Sequence, residues 1–96
     1  MADVTVHEVN ARLHQAQLVD VREDSEVAQG RIPGTIHIPL GQLPARVAEL
    51  DRTRPVIAIC RSGNRSGRAT QFLVQAGYDC DNMAGGMLAW QAAVLP

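Results

Sequence analysis

Residues 56–68 of the chain read VIAICRSGNRSGR, and the rest of the sequence is interpreted outward from this stretch. Its first four residues are apolar, mostly β-branched and preceded by Pro55, which predicts a buried strand. The strand stops at Cys60, and a polar loop containing a glycine follows. From Ser66 onward the apolar residues recur at helical spacing, which predicts a helix with one buried face: Ala69, Phe72, Leu73 and Ala76.

This strand–loop–helix order places the Cys60 sulfur above a ring of backbone N–H groups. Those groups and the positive end of the helix favour an anion at that place. We therefore expect a depressed pKa for the Cys60 thiol and a nucleophilic thiolate near neutral pH. Three arginines close in sequence would reinforce the effect: Arg61, Arg65 and Arg68.

Length and composition restrict the classes of protein that fit. The length of 96 residues predicts a single domain over 1–96. The net charge of −1 argues against binding to nucleic acid or to an anionic membrane, so we expect neither kind of partner. All nine basic residues are arginine, so an anion site must be built from arginine and backbone amides. No run is long enough to span a membrane, no secretory signal begins the chain, and the two cysteines suit a reducing compartment. We expect a cytoplasmic protein.

The remaining elements alternate between strands and helices. Thr5 and Glu8 form a capping-box pattern for a helix ending near residues 15–17. One or two helical turns are expected over 25–29, a helix over 43–50 with Pro44 in its first turn, and Gly77 at the end of the Ser66 helix. Gly85 and Gly86 predict a flexible turn before a last helix that Pro96 closes. Besides 56–59, short strands are expected over 18–21, 36–38 and 80–83.

Such alternation with short links predicts an α/β fold, a parallel sheet with helices on both faces. The site of such folds lies beyond the carboxyl ends of the strands. Because Asp20 and Cys60 both end strands, Asp20 and Arg22 come to the same edge as the cysteine. They either form an architectural pair or face the site. We favour the architectural pair, with Arg22 meeting Glu26 across the following turn.

Within the loop, each residue type suggests a role. At least one of Arg61 and Arg65 is expected to contact an anion, whereas Arg68 fits a surface charge as well as a functional one. Ser62 and Asn64 are small polar residues suited to hydrogen bonding with the sulfur. Gly63 is expected to adopt a backbone conformation that a β-carbon would resist.

Other reactive residue types have simpler interpretations. Cys80 lies in a strand without anion-binding features and is expected to pack in the core, a resolving thiol being the weaker alternative. His7 and His14 are expected at a helix surface, and His37 in a structural hydrogen bond. The two cysteines and the histidines do not have the spacing of a zinc site. Trp90 is expected to anchor the core.

Four segments resemble the rhodanese family in the right order: LVDVR at 18–22, GRIPGTIHIP at 30–39, CRSGNRS at 60–66 and NMAGGMLAW at 82–90. The resemblance covers nearly the whole chain. It implies a rhodanese-like fold with a five-stranded parallel sheet and helices on both faces. It also implies sulfur transfer by ping-pong kinetics, through a persulfide on Cys60 that is held by the amides of residues 61–66.

As a thiosulfate sulfurtransferase, the chain would take a sulfur atom from thiosulfate and pass it to cyanide or a thiol, without a metal or organic cofactor. Two positions depart from the family. Arg31 stands where rhodaneses often have histidine, and Ser62 where some thiosulfate-using members have lysine. The resemblance therefore leaves open whether thiosulfate or another persulfide is the physiological donor.

Four other functions compete with sulfur transfer to small molecules: a phosphatase, an arsenate reductase, a persulfide carrier and a non-catalytic interaction module. A cysteine phosphatase needs an arginine six positions after the cysteine, where this chain has Ser66, so phosphatase and arsenate reductase activities are disfavoured. The stronger rival is a persulfide carrier that delivers sulfur only to a relay partner protein. A non-catalytic interaction module is disfavoured because Cys60 is retained.

Overall fold

In a computed structural model, described here for residues 1–94, the chain forms one parallel sheet between two layers of helices. The strand order is β1-β5-β4-β2-β3, and every neighbouring pair is parallel. The strands are β1 Asp3–Val4, β2 Gln17–Asp20, β3 Ile36–His37, β4 Val56–Ile59 and β5 Cys80–Met83. The helices are α1 Val6–Ala11, α2 Asp24–Ala28, α3 Leu43–Arg46, α4 Asn64–Gln75 and α5 Gly86–Ala93. The predicted rhodanese-like α/β fold is confirmed.

Strand β4 lies at the centre of the sheet, and its side chains alternate between the two helical layers. Val56 and Ala58 join the hydrophobic cluster beneath α3 and α4, whereas Ile57 and Ile59 join the cluster beneath α1 and α5. All four are buried, as expected for a strand covered on both faces. Cys60 follows the same alternation and belongs to the α4 side.

Strand β1 was not predicted as a separate element from the residues. It contains only two residues, of which Val4 alone is buried, so it has no pattern to recognise. Its position comes from pairing: Asp3 lies opposite Asn82 and Val4 opposite Met83 on β5. This edge strand completes the five strands that the family resemblance implied.

Several predicted helix boundaries are wrong by a few residues. Helix α1 has the predicted capping box at Thr5 and Glu8, but it ends at Ala11 because the Arg12 N–H closes a tight turn onto the Val9 carbonyl at 2.9 Å. The helix predicted over 43–50 is α helical only at 43–46, between 3-10 turns at 40–42 and 47–49. Pro96 lies outside the described residues.

Helix α4 ends in the way that Gly77 predicted. Gly77 has φ +95, its N–H donates to the Val74 carbonyl at 3.1 Å, and the Tyr78 N–H donates to the Leu73 carbonyl at 2.9 Å. This pair of bonds is a Schellman motif, which satisfies carbonyls that the last turn leaves free. None of the helices in residues 1–94 is long and apolar enough to cross a membrane.

Candidate active site at the end of strand β4

Cys60 lies directly after β4 at the carboxyl edge of the sheet, with β2 and β5 on either side. Only 1% of the residue is exposed. Its sulfur accepts a hydrogen bond from the Gly63 N–H at 3.0 Å, and the Ser66 hydroxyl lies within hydrogen-bonding distance of it at 3.3 Å. The chain therefore turns back over its own cysteine within six residues and presents donors to the sulfur.

These contacts decide the ionisation of Cys60. Burial by itself would raise the pKa of the thiol, because a charged sulfur loses contact with water. The Ser66 hydroxyl and the backbone N–H groups of Ser66, Gly63 and Ser62 outweigh burial, so the pKa is lowered from its ordinary value. The arrangement favours a thiolate, as expected for a nucleophilic cysteine.

Gly63 is the residue at which this loop turns into α4. It has φ +103 and is the N-cap of α4, so the predicted need for a residue without a β-carbon is confirmed. Helix α4 starts at Asn64, two residues before the predicted start. Asn64 and Arg65 are thus in the first helical turn, and the positive end of a 12-residue helix lies beside the sulfur.

The hydroxyl that reaches the sulfur belongs to Ser66, not to the residues expected to provide it. Ser62 and Asn64 are exposed, and within the described residues neither side chain hydrogen bonds to Cys60. The turn that begins at Gly63 explains the difference. It puts Ser66 on the inner face of α4, where it is fully buried.

The start of α5 holds the loop from the other side. The Met87 N–H donates to the Cys60 carbonyl at 2.8 Å, and the Leu88 N–H donates to the Arg61 carbonyl at 3.1 Å. Gly86 is buried against the same peptide: a β-carbon there would lie 2.4 Å from the Arg61 carbonyl carbon and oxygen. The predicted flexible turn at Gly85 and Gly86 is therefore a close-packed junction.

Asn82 on β5 is a site residue that the sequence analysis missed. Its side-chain oxygen accepts from the Ser66 hydroxyl at 2.5 Å, and its side-chain nitrogen donates to the Gly63 carbonyl at 3.1 Å. Asn82 thus contacts both residues that hydrogen bond to the sulfur. The available signal was its position in a strand between the buried Cys80 and Met83, since buried amides need partners.

The three arginines differ in their surroundings. Arg65 forms a two-pronged ion pair with the Glu26 carboxylate, with distances of 2.6 and 2.7 Å. This pair ties α2 to α4 and lowers the pKa of Glu26 to about 2, mainly through the Arg65 hydrogen bonds. Arg61 and Arg68 are exposed, and neither forms an ion pair among residues 1–94.

Asp20 and Arg22 form the architectural pair that was favoured. Asp20 is 0% exposed, and its carboxylate accepts from the Arg22 Nη2 at 2.8 Å. Arg22 also donates to the carbonyls of Gly30 and Glu26, at 2.9 and 3.4 Å, so it meets the backbone of Glu26 and not its carboxylate. The pair braces the turn after β2, and Arg22 borders a cavity of about 250 Å³ together with Glu26, Arg61 and Met87.

His37 shares a 2.8 Å hydrogen bond with the Arg22 carbonyl, His7 is exposed on α1, and Trp90 is buried in the α1–α5 cluster, all as predicted. His14 is exposed, but it lies in the turn after α1 and not on the predicted helix, because α1 ends at Ala11. Cys80 is fully buried at the start of β5, opposite Val56. Cys60 is four residue steps beyond Val56, so the two sulfurs lie at opposite ends of the sheet, roughly 13 Å apart along the strands. This separation favours packing over a resolving role for Cys80.

Comparison with known proteins agrees with this geometry. The family model described as a rhodanese-like domain matches residues 5–93.

The chain belongs to the rhodanese family.

This rhodanese-like domain is 42% identical over 80 residues to a sulfurtransferase of Allochromatium vinosum, covering 82% of this chain and 75% of the relative. Its fold matches a rhodanese-related protein from Thermoplasma volcanium with a TM-score of 0.95 and 29% identity, over 100% of this chain and 96% of that one. The human single-domain sulfurtransferase TSTD1 matches with a TM-score of 0.83 and 28% identity, over 95% and 96% of the two chains.

Proposed function

We propose that this rhodanese-like domain is a sulfurtransferase that carries a sulfane sulfur on Cys60. The observation that carries the proposal is the pair of donors on the buried Cys60 sulfur, the Gly63 N–H at 3.0 Å and the Ser66 hydroxyl at 3.3 Å. They support a thiolate before the reaction. Relatives named as sulfurtransferases support the same class of reaction.

In the first half-reaction the Cys60 thiolate attacks the outer sulfur of thiosulfate or of another persulfide donor. A new sulfur–sulfur bond forms, the sulfur–sulfur bond of the donor breaks, and sulfite or the donor thiolate leaves with the electron pair. Cys60 then carries a terminal sulfur with a negative charge. The loop amides of residues 61–66 and the N-terminus of α4 would stabilise that charge.

In the second half-reaction cyanide or a thiolate attacks the terminal sulfur, and the Cys60 thiolate is the leaving group. The cycle needs no net redox partner and returns the enzyme to its starting state. The cavity beside Arg61, Arg22 and Met87 is the place where donor and acceptor would approach. Arg22 is paired with Asp20 and Glu26 with Arg65, so Arg61 is the charged group at this border without an ion pair among residues 1–94, and we expect it to favour anionic donors such as thiosulfate.

Arg65 is expected to act through its charge and through the loop, not as a direct ligand. Its guanidinium is held by Glu26, yet the charge on Cys60 contributes to raising the pKa of Arg65. Asp20 and Arg22 are expected to support the turn beside the cavity. Arg68, exposed on α4, is expected to contribute least among these residues.

Intact mass before and after incubation with thiosulfate tests the proposal. We expect a gain of one sulfur, roughly 32 Da, that cyanide removes and that Cys60→Ser lacks. Cys80→Ser is the matched control and should load sulfur normally. Hydrolysis of an aryl phosphate without sulfur loading would instead establish a phosphatase and overturn the proposal.

Turnover then separates an enzyme from a carrier. Repeated thiocyanate formation from thiosulfate and cyanide, with ping-pong kinetics, supports a sulfurtransferase that acts on small molecules. Loading with one sulfur but without turnover would overturn that part and indicate a carrier that needs a protein acceptor.

A further inference from the structure

We propose that Asn82 is a positioning residue that decides which way the Ser66 hydroxyl proton points, and so how strongly Ser66 supports negative charge on Cys60. The inference rests on the proposed role of Cys60 as nucleophile. The Ser66 hydroxyl lies within hydrogen-bonding distance of two acceptors, the Cys60 sulfur and the Asn82 side-chain oxygen, but it has only one proton to donate.

The orientation of the Asn82 amide follows from its neighbours. One end of the amide faces two groups that only accept hydrogen bonds, the Asp3 carboxylate at 3.0 Å and the Gly63 carbonyl at 3.1 Å. That end must be the NH₂ group. The carbonyl end therefore faces Ser66, at 2.5 Å, and since an amide oxygen only accepts, Ser66 must be the donor in this contact.

When Ser66 donates to Asn82, its lone pairs are left to face the Cys60 sulfur at 3.3 Å. This arrangement suits a neutral thiol, whose S–H can donate to the Ser66 oxygen. It does not suit a thiolate or a persulfide anion. For either anion the hydroxyl proton must turn from Asn82 to the sulfur, since hydrogen bonds to ionised groups are the stronger ones.

Burial removes solvent as an alternative partner for the hydroxyl. Ser66 is 0% exposed and Asn82 is 8% exposed, so the hydroxyl donates either to the sulfur or to the Asn82 oxygen. Charging the sulfur therefore costs the Ser66–Asn82 hydrogen bond. Asn82 thus makes the thiolate less favourable than it would be without this competing acceptor, while its NH₂ group keeps Gly63, the other donor to the sulfur, in place.

The Asn82 variants retain every other charged residue around the site. They come from every element around Cys60: Asp3 on β1, Asp20 and Arg22 after β2, Glu26 on α2, Arg61 in the loop and Arg65 on α4. Of these, only Asp3 contacts Asn82 directly among the described residues. A change at Asn82 can therefore reach the sulfur through Ser66 or through the Gly63 carbonyl, and the variants that lack the Ser66 hydroxyl separate the two routes.

The test is the pH dependence of Cys60 alkylation by iodoacetamide, in the free protein without any sulfur donor. We expect Asn82→Ala to lower the pKa of Cys60 by about 0.5 to 1 pH unit, because Ser66 then donates to the sulfur without losing another partner. Ser66→Ala should raise the pKa. The double variant should behave as Ser66→Ala alone, which a merely structural role of Asn82 would not produce.

Asp3→Ala is the matched control, because it removes a partner of Asn82 but leaves the Ser66–Asn82 contact, and it should change the pKa of Cys60 by less than Asn82→Ala does. Asn82→Val, with a side-chain shape that strands favour, is measured in parallel in case Asn82→Ala does not fold. A raised or unchanged pKa in the folded Asn82 variants, or a lowering that persists without Ser66, would overturn the proposal. Alkylation reports the thiolate alone, so these outcomes are independent of whether thiosulfate loads Cys60.

Discussion

Cys60 and Cys80 carry the same thiol in opposite environments. Both are buried, but hydrogen bonds lower the pKa of Cys60, whereas burial raises the pKa of Cys80 to about 11. Among the described residues, Cys80 has one side-chain partner, the Thr70 hydroxyl at 3.7 Å, and its hydrogen bonds do not outweigh burial. Reactivity is therefore a property of the loop after β4, not of the residue type.

This difference predicts selective modification. In the folded protein at pH 7 to 8, iodoacetamide should label Cys60 and leave Cys80 unlabelled, because only thiolates react and Cys80 stays protonated below about 11. Peptide mass mapping after short labelling checks this. Equal labelling in the native protein would show that the Cys80 environment is wrongly described, while labelling of both in denaturant is the positive control.

Among the elements, α2 depends on ion pairing more than on packing. None of its residues is buried, and Glu26 attaches it to α4 through Arg65. Because the pKa of Glu26 is lowered from 4.5 to about 2, the pair stabilises the fold above pH 4.5. That stabilisation is lost as the pH falls toward 2.

Glu26→Gln should therefore be less stable than the native chain by about 1 kcal/mol at neutral pH, a partly exposed pair being worth no more. The difference should shrink as the pH falls below 4.5 and vanish near 2. Urea unfolding at a series of pH values measures it. Glu49→Gln, which breaks an exposed pair with Arg46, is a matched control and should have a smaller effect. A Glu26 difference that is constant with pH would contradict the prediction.

The junction between the β4 loop and α5 tolerates no added atom. At Gly86 the backbone has φ +58, and a β-carbon would meet the Cys60 and Arg61 carbonyl groups at 2.4 to 2.6 Å. We expect Gly86→Ala to destabilise the protein by several kcal/mol through clash and backbone strain, roughly 1–3 kcal/mol from each source. It should also slow sulfur loading, since α5 would release the Cys60 carbonyl.

Thermal unfolding and the mass assay measure these two effects. Gly41→Ala is the matched control, because Gly41 has no positive φ and nothing lies within 4 Å of an added β-carbon. It should change stability by at most about 0.5 kcal/mol. Similar behaviour of the two variants would show that the junction is less tightly packed than described.

At the scale of the whole molecule, one sheet separates two hydrophobic clusters. The α3–α4 cluster includes Leu73, and the α1–α5 cluster includes Trp90, the one tryptophan of the chain. Neighbouring residues of β4 belong to opposite clusters, so displacement of β4 during unfolding would disrupt both clusters together. A domain of this size should unfold in one step.

Leu73→Ala tests this coupling because it cuts the cluster that Trp90 does not belong to. We expect a loss of about 2–5 kcal/mol, the range for a buried leucine. Trp90 fluorescence and far-ultraviolet circular dichroism should give coincident urea transitions in both the native chain and the variant. Val74→Ala, at an exposed position of the same helix, is the control and should have little effect. Separate transitions would contradict a single cooperative unit.

What the sequence determined by itself is the local machinery. The strand that ends at Cys60, the backbone of Gly63, the capping box at Thr5 and the helix end at Gly77 could all be predicted, because each depends on neighbours a few residues away. The four motif segments in order also predicted the family. The alternation of strands and helices then left few possible sheets.

What only the tertiary structure decided is which distant residues meet. Asn82 reaches Ser66 from 16 positions along the chain, and Glu26 reaches Arg65 from 39 positions away. Gly86 packs on a peptide that no local pattern could place beside it. Such contacts depend on strand order and on the packing of helices against the sheet. A hydrophobic period of 2.0 or 3.6 residues shows only which face of a strand or helix is apolar, so it does not predict these contacts. Local patterns therefore place the nucleophile, and the packed sheet supplies the partners that set its charge.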